Sequence, residues 1–202
     1  MRRIAFGLLL LSILPAGCDR TESECASQTA GKSDDAARSE KSEHKPAPDP
    51  LPPAAVPDKP LFAKSFLNRP APEFVVAEWL NREPEREGKM VLIDFWATWC
   101  GRCIDSIPKL NQFHRNHKDR LAVIGVSDET ADEVRAHDGA KINYALAIDP
   151  ERRMYNEFGI THIPNLFLID PTGIVRWQGN PSVKGHELTE DVLVELLDTY
   201  VK

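Results

Sequence analysis

Residues 96–103 read WATWCGRC, and the two cysteines in it, Cys100 and Cys103, are the side chains of this chain best suited to chemistry. A Cys-x-x-Cys pair can exchange electrons as dithiol and disulfide, form half of a metal site, or staple the backbone. Zinc takes four ligands, yet there is no second Cys-x-x-Cys, and His114, His117 and His162 are the histidines near enough in sequence to consider. A staple across four residues gains little from closing so short a loop. The redox reading therefore weighs most, with no metal expected. If a helix starts near Cys100, its free N–H groups and positive dipole end lie beside that sulfur and favour the thiolate, the nucleophilic form. Arg102 adds a cation between the two cysteines. Cys103, one helical turn further in, is placed to close a disulfide while being less open to an incoming partner. His114 and His117 read as solvated residues on a polar helix face.

The elements that must position this pair follow from hydrophobic periodicity. FVVA (74–77) is a short apolar strand candidate, and MVLIDFW (90–96) is the near-continuous apolar run of a strand covered on both faces. Ile104, Ile107, Leu110 and Phe113 then recur at helical spacing over 104–117, broken only by Pro108. LAVIGVS (121–127) predicts a second buried strand, TADEVRAHDGA (130–140) a polar helix, and YALAID (144–149) a further strand before a short helix over 152–158. NLFLID (165–170), PTG and IVRWQG (174–179) read as a hairpin turned by Asp170 and Gly173. Over 187–200, Leu188, Val192, Leu196 and Leu197 form one apolar stripe of a closing helix. The expected plan is a three-layer α/β domain, a central mixed β-sheet with helices on both faces. Chemistry in such sheets sits at the carboxyl ends of strands, where WATWCGRC falls.

The 202 residues supply one sizeable core, and the N-terminal third does not look like part of it. Residues 2–17, RRIAFGLLLLSILPAG, set two arginines before a short apolar run and end on small residues, the layout of a secretory signal over 1–17. LPAGC resembles a lipobox, with Pro15 where leucine is usual, so Cys18 is expected to carry lipid and anchor the chain to a membrane. Residues 18–60 run from Ser, Asp, Glu, Lys and Ala into PAPDPLPPAAVPDKP and are expected to be a disordered, proline-rich tether ahead of a domain over 61–202. Cys25 lies inside that tether with no fixed partner expected. The net charge of -6, the lack of a basic stripe and the lack of a phosphate-cradling glycine motif argue against nucleic acid.

WCGRC after VLIDFWAT resembles the active site of the thioredoxin superfamily, and APEF (71–74), FWATWC and GITHIPNLFLID (159–170) resemble its exported thiol-disulfide oxidoreductases of the TlpA and ResA type. The likeness covers roughly residues 70–200. It implies a thioredoxin fold in which Pro164 is a cis-proline facing the disulfide, although a proline opening a strand is also ordinary. Pro108 matches the helix-kinking proline. Asp94, a carboxylate in an apolar strand whose burial should raise its pKa, matches the buried acid that serves Cys103 as proton acceptor. Trp99, Arg102 and Ile163 are the expected substrate contacts, and Trp96 is expected in the core. Thioredoxins have proline at the position of Arg102, and a cation there should make the pair more oxidising.

The resemblance implies an enzyme with no dissociable cofactor, on the outer side of a bacterial cytoplasmic membrane. Cys100 would attack a partner disulfide and Cys103 resolve the mixed disulfide. Its partners would be exported protein thiols and disulfides, including those of cytochrome c biogenesis, with electrons from a membrane donor such as a DsbD/CcdA-like reductase. The alternative is a copper-binding chaperone module on the same fold, for which Met90 and Met154 are the only methionines in the domain. A peroxidase would place its nucleophile after a proline and threonine pattern that WATWCGRC lacks.

Overall fold

In the structure, a computed structural model, residues 61–202 are described; the expected signal, Cys18, Cys25 and the tether lie outside them. Ten elements follow in order: β1 Glu78–Trp79, β2 Met90–Trp96, α1 Gly101–His117, β3 Leu121–Ser127, α2 Ala131–Arg135, β4 Ala145–Ile148, α3 Arg153–Phe158, β5 Asn165–Ile169, β6 Val175–Gly179 and α4 Glu190–Tyr200. The six strands form one sheet in the order β1-β4-β3-β2-β5-β6. β2 runs parallel to β3, and β3 to β4, while β1, β5 and β6 are antiparallel to their neighbours. This is the expected mixed sheet, with the apolar runs MVLIDFW and LAVIGVS as its two central, buried strands.

Alternation along these strands divides the core between two faces. Leu92, Val123, Leu166 and Leu168 point to one side, where they pack with Leu110 and Phe113 of α1 and Leu193, Leu196 and Leu197 of α4. Ile93, Phe95, Ile124, Val126 and Phe167 point to the other, against Met154, Tyr155 and Phe158 of α3. Asp94 lies between Leu92 and Trp96 in β2, so it shares their α1 side, paired in register with Gly125 of β3 and Leu166 of β5.

Three expectations are corrected. FVVA is not a strand: pairing with β4 starts at Glu78, and Phe74 instead stacks on Trp79 at 5.7 Å between ring centroids, so its apolar pattern records packing rather than pleating. The polar helix stops at Arg135, closed at its start by a capping box between Thr130 and Glu133, because His137, Asp138 and Gly139 that follow are poor helix formers. In α4 the helix begins only after Thr189, so Leu188 is buried ahead of it, Val192 is half-buried, and Leu193 takes the core position assigned to Val192.

Candidate active site

The 17-residue helix α1 starts at Gly101, directly after Cys100, which is its N-cap. The Sγ of Cys100 accepts the backbone N–H of Cys103 at 3.2 Å, so the sulfur replaces one of the partners that the first helical turn lacks. The two cysteines are joined as a disulfide, with Cα atoms 5.2 Å apart. Cys100 keeps 7% of its surface exposed and Cys103 none, so a reagent arriving from solvent reaches Cys100. Trp96 is buried, as expected for a core residue, while Trp99 is 72% exposed. A largely solvated indole beside a disulfide is apolar surface open to an incoming chain.

α3 is closed after Phe158 by Gly159, whose φ of 63° is the left-handed conformation that glycine adopts without penalty. The chain then turns into residues 160–163. The Ile163–Pro164 peptide bond is cis, as the resemblance implied, and Ile163 packs against the cluster that holds Trp96, Cys100 and Cys103. Between this loop and Trp99 lies a cleft of about 290 Å³, lined also by Asp128, Arg152 and Tyr155. Arg152 and Asp128 form an ion pair on its rim.

Asp94 is fully buried beneath α1. Burial pushes its carboxyl up to about 7, and a hydrogen bond from the Tyr144 hydroxyl offsets this only in part. That places a buried carboxyl poised near neutrality on the α1 side of the sheet, the side on which Cys103 is buried.

Arg102 lies in the first turn of α1. Its side chain is exposed, and Nη1 reaches the carbonyl of Ser182 at 3.5 Å, so it leans toward the 180–187 loop and its field at the cysteines is screened by solvent. The three histidines are scattered. His114 faces Arg82 at 3.3 Å, His117 bonds Glu190 at 2.7 Å, and His162 packs on Phe62 with ring centroids 4.6 Å apart. His114 and His117 are thus not simply solvated; burial and the Arg82 charge lower the pKa of His114. Met90 and Met154 are both fully buried in the core, so neither is offered to a ligand at the cysteines. Among the described residues no three of His, Cys, Asp and Glu converge as a metal site would require.

Sequence reasoning missed two residues. The sequence pattern marks Tyr144 only as the start of a strand. Glu129, two residues past the end of β3, holds the turn that carries Trp99 and Cys100: its carboxylate accepts from the Thr98 N–H at 2.7 Å, the Thr98 hydroxyl at 2.5 Å and the Ser127 hydroxyl at 2.9 Å. Thr98 and Glu129 are 31 positions apart, and only the parallel pairing of β2 with β3 brings them together. Glu129→Gln puts an amide donor against one of these donors, and is expected to lower stability by about 1–3 kcal/mol, against about 1 kcal/mol for Thr98→Val. Urea unfolding of the oxidised proteins checks both; equal midpoints for Glu129→Gln and the parent would remove the clamp.

Residues 67–178, more than half of the chain, match the AhpC/TSA family. The thiol-disulfide oxidoreductase ResA of Bacillus thuringiensis subsp. konkukian is 29% identical over 140 residues, 66% of this chain and 78% of that protein. The thiol:disulfide interchange protein DsbE of Xylella fastidiosa is 28% identical over 142 residues, 66% of this chain and 71% of that protein. The crystal structure of a thiol-disulfide isomerase from Corynebacterium glutamicum superposes with a TM-score of 0.55 at 22% identity, over 66% of this chain and 96% of that one, which shows the shared thioredoxin-like fold. With its disulfide at the mouth of that fold, the chain belongs to the AhpC/TSA family, as a thioredoxin-like thiol-disulfide oxidoreductase.

Proposed function

We propose that the chain reduces disulfides of exported proteins, as a reductant of the kind that serves cytochrome c maturation, through Cys100 and Cys103. The observation that carries the mechanism is the unequal exposure of two bonded sulfurs, one capping a helix at the surface and one buried behind it. In the reduced enzyme the Cys100 thiolate attacks a substrate disulfide, forming a mixed disulfide and releasing one substrate thiolate. Cys103, giving its proton to Asp94, then attacks the Cys100 sulfur; the enzyme disulfide forms and the second substrate thiolate leaves. Two electrons have passed to the substrate, and a membrane dithiol donor of the DsbD/CcdA kind restores the pair. Trp99 and Ile163 line the cleft that receives the substrate chain, Pro164 follows Ile163 through the cis bond, and Arg102 on the first turn of α1 is a further contact. No dissociable cofactor takes part. The arginines and apolar run of residues 2–17, followed by LPAGC, support export and a lipid anchor at Cys18, with residues 18–60 as the tether that holds the domain away from the membrane.

The two-electron potential of Cys100/Cys103 in the full chain tests the direction. A reductant is expected below about -230 mV, on the reducing side of glutaredoxins. A value above about -150 mV, toward that of a strong oxidant, would reverse the direction of electron flow.

A further inference from the structure

Asp94 has two carboxylate oxygens and a short supply of partners. Oδ2 lies 3.5 Å from the Tyr144 hydroxyl, while Oδ1 has no hydrogen-bond partner. A buried carboxyl would ordinarily be held by several donors, and each one it lacks leaves its charged form harder to make. Tyr144 is itself fully buried, so its hydroxyl too has given up water, and Asp94 is the polar group it meets. The backbone that carries the ring is fixed from two sides. Asn81 Nδ2 donates to the Tyr144 carbonyl at 2.8 Å, and the N–H of Asn143 reaches Asn111 Oδ1 of α1 at 2.8 Å.

The ring reaches Asp94 because the residue paired with Asp94 on β3 has no side chain. A Cβ on Gly125 would stand 3.2 Å from Cε2 of Tyr144, 3.0 Å from Nε1 of Trp96 and 3.0 Å from Cδ2 of Leu146. Glycine weakens a strand interior and often marks the close approach of another group. Here the group is the phenol of Tyr144, with the indole of Trp96 beside it.

We infer that Tyr144 is the positioning residue of the proton acceptor: its hydroxyl, admitted by Gly125, orients the Asp94 carboxyl and sets how readily it holds a proton. The inference rests on the proposed role of Asp94 in resolving the mixed disulfide. The titratable groups on the elements packed around Asp94 are Tyr144, Tyr155 across the sheet, and His137, whose ring meets Trp96 at 5.8 Å; Cys103 of α1 joins them only when the disulfide is reduced. Of these, Tyr144 is the one bonded to the carboxyl. The hydroxyl of Tyr155 is engaged elsewhere, with the carbonyls of Trp96 and Val126, both at 3.0 Å. A donor to the carboxylate favours its charged form, so Tyr144 counters the burial that favours the neutral one.

Tyr144→Phe removes the hydroxyl and keeps the ring. In the full-length oxidised protein, carbon-detected NMR titration of the Asp94 carboxyl is expected to move upward by about half to one pH unit, a three- to tenfold loss of carboxylate at any pH below its midpoint. The pH profile for decay of a mixed disulfide, followed by quenched flow, is expected to shift by the same amount. Gly125→Ala, which pushes the ring away, should move the titration in the same direction. Tyr155→Phe deletes a buried hydroxyl of equal size that does not touch Asp94 and should leave the titration in place, which separates the bond from general loosening of the core. An Asp94 titration unmoved in Tyr144→Phe overturns the inference. A titration that moves while the decay profile stays fixed supports the Tyr144 bond and sinks the proton-acceptor role of Asp94.

Discussion

Cys103→Ser is expected to stop after the first exchange, with the substrate held as a mixed disulfide on Cys100, whereas Cys100→Ser is expected to capture nothing. The asymmetry follows from position. Cys100 sits at the helix N-terminus with an N–H aimed at its sulfur and an edge open to solvent, so it has both the stabilised thiolate and the access that nucleophilic attack needs. Cys103 has no exposed surface and can meet only a sulfur already inside the site, namely that of Cys100. Without Cys103 the intermediate has no internal route to resolution. Turnover in either variant should fall by at least about three orders of magnitude, the scale set by losing a covalent nucleophile or its obligate partner. Non-reducing electrophoresis and mass spectrometry, after incubation with a disulfide-bonded peptide, check which cysteine holds it. Capture through Cys103 in Cys100→Ser protein would exchange the two roles.

What made this site legible was its local character. A strand, a turn and a helix start are contiguous in MVLIDFWATWCGRC, and each has its own signature: an apolar run, two cysteines, then helical spacing. Asp94 stood out for the same reason, as a charge inside an apolar strand. Pro164 is 61 residues beyond Cys103 and was placed by resemblance rather than by any pattern of its own. Glu129 and Tyr144 were missed because nothing in their neighbourhoods separates a clamp or a buried donor from an ordinary loop acid or strand tyrosine. Their roles exist only once β3 lies beside β2 and the chain before β4 lies over Gly125. For Arg102, sequence adjacency sets its charge between the cysteines, while the contact of its long side chain with a carbonyl on another loop is visible only in the fold. Secondary structure erred where apolar residues pack without pairing, as at FVVA, and where a capping box announces a helix that later residues do not sustain.

Asp94→Asn is expected to stabilise the oxidised domain by up to about 4 kcal/mol above pH 7 and to change it little below pH 4. The carboxyl of Asp94 is pushed up to about 7 in the folded domain, whereas an unfolded chain releases that proton near 3.9. Between these values the folded state holds a proton that the unfolded state has lost, so stability falls as pH rises, by at most about 1.4 kcal/mol per unit. The favourable contribution of the protonated acid is complete below about pH 4 and is lost as pH climbs through 7. Asparagine has no proton to lose, fills almost the same volume, and still offers the Tyr144 hydroxyl an oxygen to donate to. The difference between variant and parent should therefore open from near zero at pH 4 to its full size at pH 8, while other carboxyls, common to both proteins, cancel. Denaturant unfolding at the two pH values measures it, and equal differences at both would mean that the Asp94 carboxyl titrates alike in the folded and unfolded chain. The same substitution removes the proposed acceptor for the Cys103 proton, so the more stable protein should resolve its mixed disulfide more slowly. A buried acid that costs the fold several kcal/mol at neutral pH is retained for its chemistry when stability and turnover move in opposite directions in one variant.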